Sequence, residues 1–267
     1  VKIALIAGTG ALPVLLAERL CARGQAPLVA ALEGTTTSLP VDRRFRLEGL
    51  SPFLDGLVAA GITHVVMAGA VRRPTLDAGS ADPSAPALAA RLAAALRLGD
   101  DGALGALIAI IEDHGLTVIG AHDLVPELLP APGIHSRRQP DRGHDADARR
   151  GADIVAAMAT ADIGQACVVS AGQALAVEAL PGTDAMLATL APRPAGLPPG
   201  GLLYKAPKPG QDRRADLPVI GPGTVQAARA AGLDGIVIAA SGVMVPAFAA
   251  TLAAADSEGM FLWVRPA

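Results

Sequence analysis

The chain has 267 residues, with 22 Lys and Arg against 25 Asp and Glu and a formal net charge of -3 at pH 7. That balance excludes the broad basic face of a nucleic-acid binder, so any phosphate contacts must be local. Hydrophobic residues make up 51% of the chain but aromatics only 2%, which implies an aliphatic core, while 30 Gly and 22 Pro imply many short elements.

The length allows one large domain or two small ones, each able to bury a core. Residues 2–7 lack the basic region, long apolar run and cleavage site of a signal peptide and are expected to form a first strand. They run into Gly8-Thr9-Gly10, after which Pro13 suits the first turn of a helix ending near Arg23, with Gly24 as its stop. Strand, glycine turn and helix suit a phosphate or carboxylate at the helix N-terminus, or simply let a helix pack closely on a sheet. The turn is not the full dinucleotide fingerprint: Pro13 stands where a third glycine would be, and Glu33 is the only acidic candidate for a ribose contact.

Strands are expected at 27–32 and 45–47, then a helix from Pro52 capped by Ser51, and a strand at 64–69. Alternating strand and helix predict a parallel sheet. Residues 70–86, with Arg72 and Arg73, are expected as a loop on the ligand side of that sheet. A helix over 87–98 stops at Gly99, and Asp100 and Asp101 open another, Asp101 suiting an N-cap. A strand at 116–119 ends in Gly120-Ala121-His122-Asp123, which makes His122 the foremost candidate histidine; a capping or structural role is its alternative.

From 130 to 144 the composition turns to Pro, Gly and charge without apolar periodicity, which predicts a linker. Beyond it come a helix over 145–160, a hairpin of 167–170 and 173–179 around Ala171-Gly172, and a helix opening at Gly182-Thr183-Asp184. A strand at 201–206, a helix at 224–231, a strand at 236–240, a helix at 246–256 and a strand at 260–264 complete the chain. Residues 235–255 are uncharged and about long enough to span a bilayer, but Gly242, Pro246 and the β-rich opening predict strand, turn and helix in a core. The expected fold is two α/β domains: a Rossmann-like one with a mostly parallel sheet over 1–130, a linker over 131–144, and a mixed, catalytic α/β domain over 145–267. Cys21, in an expected helix, and Cys167, in an expected strand, are expected as buried core thiols of a cytoplasmic, reducing setting.

Residues 202–223, LLYKAPKPGQDRRADLPVIGPG, concentrate charge: Lys205, Lys208, Asp212, Arg213, Arg214 and Asp216 fall within twelve positions. Pro207, Pro209 and Pro218 keep the stretch out of a long helix. The lysines and Arg214 suit a diphosphate, and Asp212 and Asp216 suit Mg²⁺ bridging phosphate oxygens. The alternative is a surface loop of mutually paired charges.

KAPKPxQDxRxDLPxIG resembles the signature of the UDP-2,3-diacylglucosamine pyrophosphatases of lipid A biosynthesis, the type without a calcineurin-like metallophosphoesterase fold. AGTGALP, GDD at 99–101, GAH at 120–122, DIGQ at 162–165 and VEALPGTDAML at 177–187 agree with it in order along most of the chain. Thr9 and Ala70 depart from the family pattern. Phosphate-suited features on both domains make a ligand between them the default, and the resemblance implies Mg²⁺-dependent hydrolysis of UDP-2,3-diacylglucosamine to UMP and 2,3-diacylglucosamine 1-phosphate, with water attacking the sugar-side phosphorus. It implies Asp216, the DLP aspartate, as the essential residue, which binds the metal or orients the water, and Gly10, Ala11, Gly99, Asp100, Asp101, His122, Thr183, Asp184 and Lys205 as substrate-site residues. The acyl chains need apolar surface, expected near 236–255 or on the helices of the first domain. Partners expected are the lipid-linked UDP-sugar and contact with the cytoplasmic face of the inner membrane, with a homodimer left open and no nucleic acid. A nucleotide-dependent oxidoreductase and a non-catalytic sugar-nucleotide or lipid-binding protein are the alternatives.

Overall fold

The computed structural model describes residues 1–72, 86–97 and 99–266, with the backbone alone at Pro86 and Asp100. Most of the loop expected at 70–86 therefore lies outside the described residues, Arg73 included. The chain divides into two compact units, 1–126 with 212–216, and 127–211 with 217–267. The charged stretch is thus shared: its middle five residues group with the first unit and its flanks with the second.

The first unit carries β1 (Ile3–Ala7), α1 (Ala11–Ala22), β2 (Leu28–Leu32), β3 (Arg43–Phe45), α2 (Leu50–Ala59), β4 (His64–Ala68), α3 (Pro86–Ala95), α4 (Asp100–Asp113), β5 (Thr117–Ile119) and α5 (Ala121–Leu124). The strands form one sheet in the order β3-β2-β1-β4-β5, every pair parallel. This is the Rossmann-like arrangement that alternating strand and helix predict, with strand order reversing between β1 and β4. On one face Ala4, Ile6, Ala30, Val65 and Val118 pack with Leu54 and Leu57 of α2, Leu92 of α3 and Ile108 and Ile111 of α4. Ala215 from the charged stretch packs partly against the same cluster. Two local readings differ. Ser51 lies inside α2 rather than capping it, because a 3₁₀ turn over Leu47–Gly49 leads into the helix, and its hydroxyl instead meets His114 Nε2 at 3.2 Å. Asp101 is likewise inside α4, whose N-cap is Gly99.

The second unit carries β6 (Gly133–Ile134), α6 (Arg142–Ala159), β7 (Ala166–Ser170), β8 (Gln173–Val177), α7 (Gly182–Ala188), β9 (Leu202–Lys205), α8 (Pro222–Ala230), β10 (Gly235–Ala239), α9 (Phe248–Ser257) and β11 (Phe261–Arg265). Its mixed sheet runs β6-β11-β10-β9-β7-β8, parallel from β11 to β9 and antiparallel at both flanks. α6 covers one face, with Ala148 and Val155 against Cys167, Leu202, Tyr204 and Phe261. Met186 and Leu187 of α7, Val225 and Ala228 of α8 and Ala255 of α9 pack with Val168, Leu203, Ile236 and Ile238 in a separate cluster.

Residues 131–144, which read as a linker, carry structure of their own. β6 pairs with β11, Ser136 Oγ accepts from Leu262 N at 2.7 Å, and Arg138 meets Asp234 at 2.7 Å. Their lack of apolar periodicity reflects polar anchoring, not freedom. Among the described residues no helix is long and apolar enough to cross a membrane; 235–255 is β10, a turn and α9. Cys167 is buried and burial pushes its thiol up to about 12, whereas Cys21, against expectation, is exposed on α1.

Candidate active site

In the first unit the glycine turn sits where β1 and β4 end side by side. Gly8 N donates to Ala68 O at 2.7 Å and Thr9 N to Ala70 O at 2.9 Å, while Ala70 N returns a bond to Thr9 O at 3.2 Å. A Cβ on Gly8 would lie 2.6 Å from three backbone atoms of Gly69 and Ala70, so a side chain is excluded there. The turn is therefore closed against the β4 end, and its first two amides serve the fold. Gly10 (φ 95°) and Ala11 then begin α1, which has no side-chain cap. α5 holds His122 at the carboxyl end of β5. Gly120 makes room for it: a Cβ there would meet the imidazole Cε1 at 2.6 Å, and Gly120 N donates to Asp123 at 3.0 Å. Only 16% of the His122 side chain is exposed; Nε2 is 3.6 Å from Asp123, and Nδ1 is buried without a hydrogen-bonding partner among the described residues. Gly99 caps α4 and Asp101 lies in its first turn, while the Asp100 side chain lies outside the description.

Segment 212–216 forms a tight charged knot on the same unit. Arg214 donates from Nε to both Asp212 oxygens, at 3.0 and 3.2 Å, from Nη2 at 2.7 Å and from its backbone amide at 3.0 Å. Its Nη1 reaches Glu112 of α4 at 2.7 Å. These bonds hold the Asp212 carboxyl below the usual carboxylate range and raise Arg214 further above neutrality. A metal ion at Asp212 would have to displace a guanidinium. Asp216 is half-buried two residues beyond Arg214. Among the described residues no three His, Cys, Asp or Glu side chains gather as a metal cage. Mg²⁺ asks for less, being held by one or two carboxylates plus phosphate oxygens.

In the second unit three separated sequence motifs meet. Lys205, at the carboxyl end of β9, is only 8% exposed and donates from Nζ to Thr183 Oγ1 at 2.6 Å. Thr183, at the start of α7, donates to Glu178 Oε1 at 2.7 Å. Glu178, also buried, accepts from Gln165 N on its other oxygen at 3.0 Å. The intervening Gly164 is required by this approach, because a Cβ there would collide with the Glu178 backbone. Lys208, buried as well, pairs with Asp162, whose left-handed backbone (φ 51°) suits aspartate better than most side chains. Gln211 Oε1 accepts from Lys208 N at 3.0 Å, and Pro207 packs where Gly242 leaves no side chain. Asp184 is exposed one residue beyond Thr183.

The expected Thr183 and Lys205 are therefore brought together, and so are Asp212 and Arg214. Sequence reasoning passed over Glu178, Asp162 and Gln165 as functional residues. The signal was present, since Glu178 is an acid following the apolar strand β8 and Asp162 stands two residues before Gly164. The apolar surface expected near 236–255 is instead core: Ile236, Val237, Ile238, Val243 and Val245 are buried. Exposed apolar side chains occur beside the second-unit motifs, at Ile163, Val177 and Leu180, the last 89% exposed.

Two family models together span most of the chain. Residues 2–128 match the LpxI N-terminal domain and 131–263 the LpxI C-terminal domain. The chain is 38% identical over 270 residues to the UDP-2,3-diacylglucosamine pyrophosphatase LpxI of Caulobacter vibrioides, covering 98% of this chain and 96% of that protein. With both domains matched in order and the relative covered almost end to end, the chain belongs to the LpxI family.

Proposed function

We propose that the chain hydrolyses UDP-2,3-diacylglucosamine with water and Mg²⁺, giving UMP and 2,3-diacylglucosamine 1-phosphate for lipid A biosynthesis. The observation that carries this reading is the burial of two lysines, Lys205 and Lys208, beside the end of a parallel strand, in a chain similar throughout its length to a named pyrophosphatase. Removing ammonium groups from water is costly unless an anion or other partner compensates. Asp162 and Thr183 already serve Lys208 and Lys205, and a diphosphate would add anionic oxygens that a neutral ligand lacks.

The oxygen of water bonds to the sugar-side phosphorus, the bond from that phosphorus to the bridging oxygen breaks, and the bridging oxygen leaves on UMP. Mg²⁺, when bound, supplies neutralisation of charge on the phosphate oxygens. Asp216 holds it in this reading. Lys205 and Lys208 meet phosphate oxygens with fixed positive charge, and Thr183 and Asp184 bind at the start of α7. Gly10, Ala11, the 99–101 segment and His122 contribute from the first unit, so the substrate draws on residues of both domains. Asp212 and Arg214 hold the backbone that presents Asp216. Leu180, Val177 and Ile163 offer apolar surface to acyl chains at the membrane face, each buried CH₂ contributing about 0.8 kcal/mol.

The test is UMP release from UDP-2,3-diacylglucosamine with Mg²⁺ and with EDTA, in wild type and Asp216→Ala. Release that needs the metal and falls at least about a hundredfold in a folded Asp216→Ala is expected. A folded wild type that releases no UMP would leave only a binding protein.

A further inference from the structure

Lys205 can only donate hydrogen bonds, and its Nζ lies 2.6 Å from Thr183 Oγ1. The threonine oxygen therefore accepts from the lysine, and its own proton must point elsewhere. It points to Glu178 Oε1 at 2.7 Å, while the second Glu178 oxygen accepts the Gln165 amide at 3.0 Å. The chain of donors runs one way, from ammonium to hydroxyl to carboxylate, and the carboxylate is its acceptor end. All three residues are buried, Thr183, Glu178 and Lys205 each being 8% exposed. Water is thus poorly placed to substitute for any one of them.

We propose that Glu178 is a positioning residue for the hydrolysis: by fixing the direction of the Thr183 hydroxyl, it holds the Lys205 ammonium where it meets the substrate phosphate. The inference rests on the proposed function for its consequence but not for its geometry. Glu178→Gln exposes the logic. Its amide oxygen can accept from Gln165 N or from Thr183, but the amide nitrogen then faces the other donor. Serving Gln165 turns an NH₂ toward Thr183, so the hydroxyl proton loses its acceptor and swings into the space held by Lys205. Serving Thr183 sets two N–H groups against each other at Gln165. A shape-conserving change thus breaks the relay while leaving the side-chain volume in place.

The experiment is a double-mutant cycle of Glu178→Gln and Thr183→Val on UMP release, with thermal unfolding of each variant and acetic anhydride labelling of Lys205 read by peptide mass spectrometry. If Glu178 acts through the hydroxyl, each single variant loses about ten- to a hundredfold in kcat/KM and the double variant loses no more than the worse single. Thr183→Ser should keep most of the activity, since it keeps the hydroxyl. Lys205 labelling should rise several-fold in Glu178→Gln and in Thr183→Val. Losses that multiply in the double variant, or unchanged labelling of Lys205, overturn the proposal. If the wild type released no UMP, the functional reading would fall, and the labelling would still decide whether Glu178 holds the lysine. Should Glu178→Gln fail to fold, the comparison of Thr183→Val with Thr183→Ser decides: equal Lys205 labelling in the two would refute the relay.

Discussion

Gly8 and Gly10 stand two residues apart, but the structure requires them for different reasons, and this makes them a sharp pair to perturb. In Gly8→Ala the new methyl would start 2.6 Å from Ala70 O, Gly69 C and Gly69 O, about 0.8 Å inside ordinary carbon contact. All three are backbone atoms, so relief must come from parting the β1 and β4 ends. That movement stretches Gly8 N to Ala68 O (2.7 Å), Thr9 N to Ala70 O (2.9 Å), Ala70 N to Thr9 O (3.2 Å) and Thr9 Oγ1 to Ala70 O (3.1 Å). Losing two to four of these at about 1 kcal/mol each gives a destabilisation of about 2–4 kcal/mol. The corresponding fall in Tm is about 6–12 °C at roughly 3 °C per kcal/mol. Gly10→Ala meets nothing within 4 Å, and its loss comes only from a left-handed backbone at φ 95°, about 1–2 kcal/mol. Guanidinium unfolding of both variants, with Thr9→Val to remove the hydroxyl bond alone, separates the terms. A Gly8→Ala within 0.5 kcal/mol of wild type, or less damaging than Gly10→Ala, would refute the close-approach argument.

Other outcomes follow from single side chains. Burial pushes the Asp234 carboxyl up, but Arg138, the Gly201 amide and His144 outweigh it and leave it below the usual carboxylate range. A depressed acid contributes stability above its unfolded value that is lost as pH falls through the folded one. The Tm gap between wild type and Asp234→Asn should therefore narrow below about pH 4; a gap constant from pH 7 to 2.5 would contradict this. One thiol, Cys21, should react with a disulfide reagent in the native protein and Cys167 only after unfolding, because burial keeps Cys167 protonated to about pH 12. Two fast-reacting native thiols would contradict that assignment.

The architecture was legible because it rests on local pattern. Apolar runs ended by Gly8, Gly69 and Gly120 mark the carboxyl ends of β1, β4 and β5, and alternation of strand with helix implies parallel pairing. What sequence could not supply was partner choice over distance. Ser51 has the chemistry of a cap, yet the turn at Leu47–Gly49 starts the helix earlier and its hydroxyl goes to His114 instead. Residues 131–144 have no periodicity because Ser136 and Arg138 anchor them through polar groups to Leu262 and Asp234, residues more than 90 positions away. Glu178 was hidden for the same reason: an acid after a strand declares its role only when Gln165, Thr183 and Lys205 are placed around it.

The charged stretch shows how two competing readings of one pattern can each hold for different residues. Spacing alone treats Lys205 to Asp216 as one loop in which the charges either bind a ligand together or pair with each other. The chain instead passes from the second unit to the first at Gln211 and back at Leu217. Asp212 and Arg214 pair, as a surface loop would have them. Lys205 and Lys208 are buried, and Thr183 and Asp162 reach them from distant motifs. Burial is what separates the two behaviours. A half-buried pair such as Arg214 and Asp212, still open to solvent, gains little beyond local order. A buried ammonium must be compensated by groups that the fold brings to it, and for Lys205 and Lys208 those groups include Thr183 and Asp162, from motifs that spacing within the stretch does not reveal.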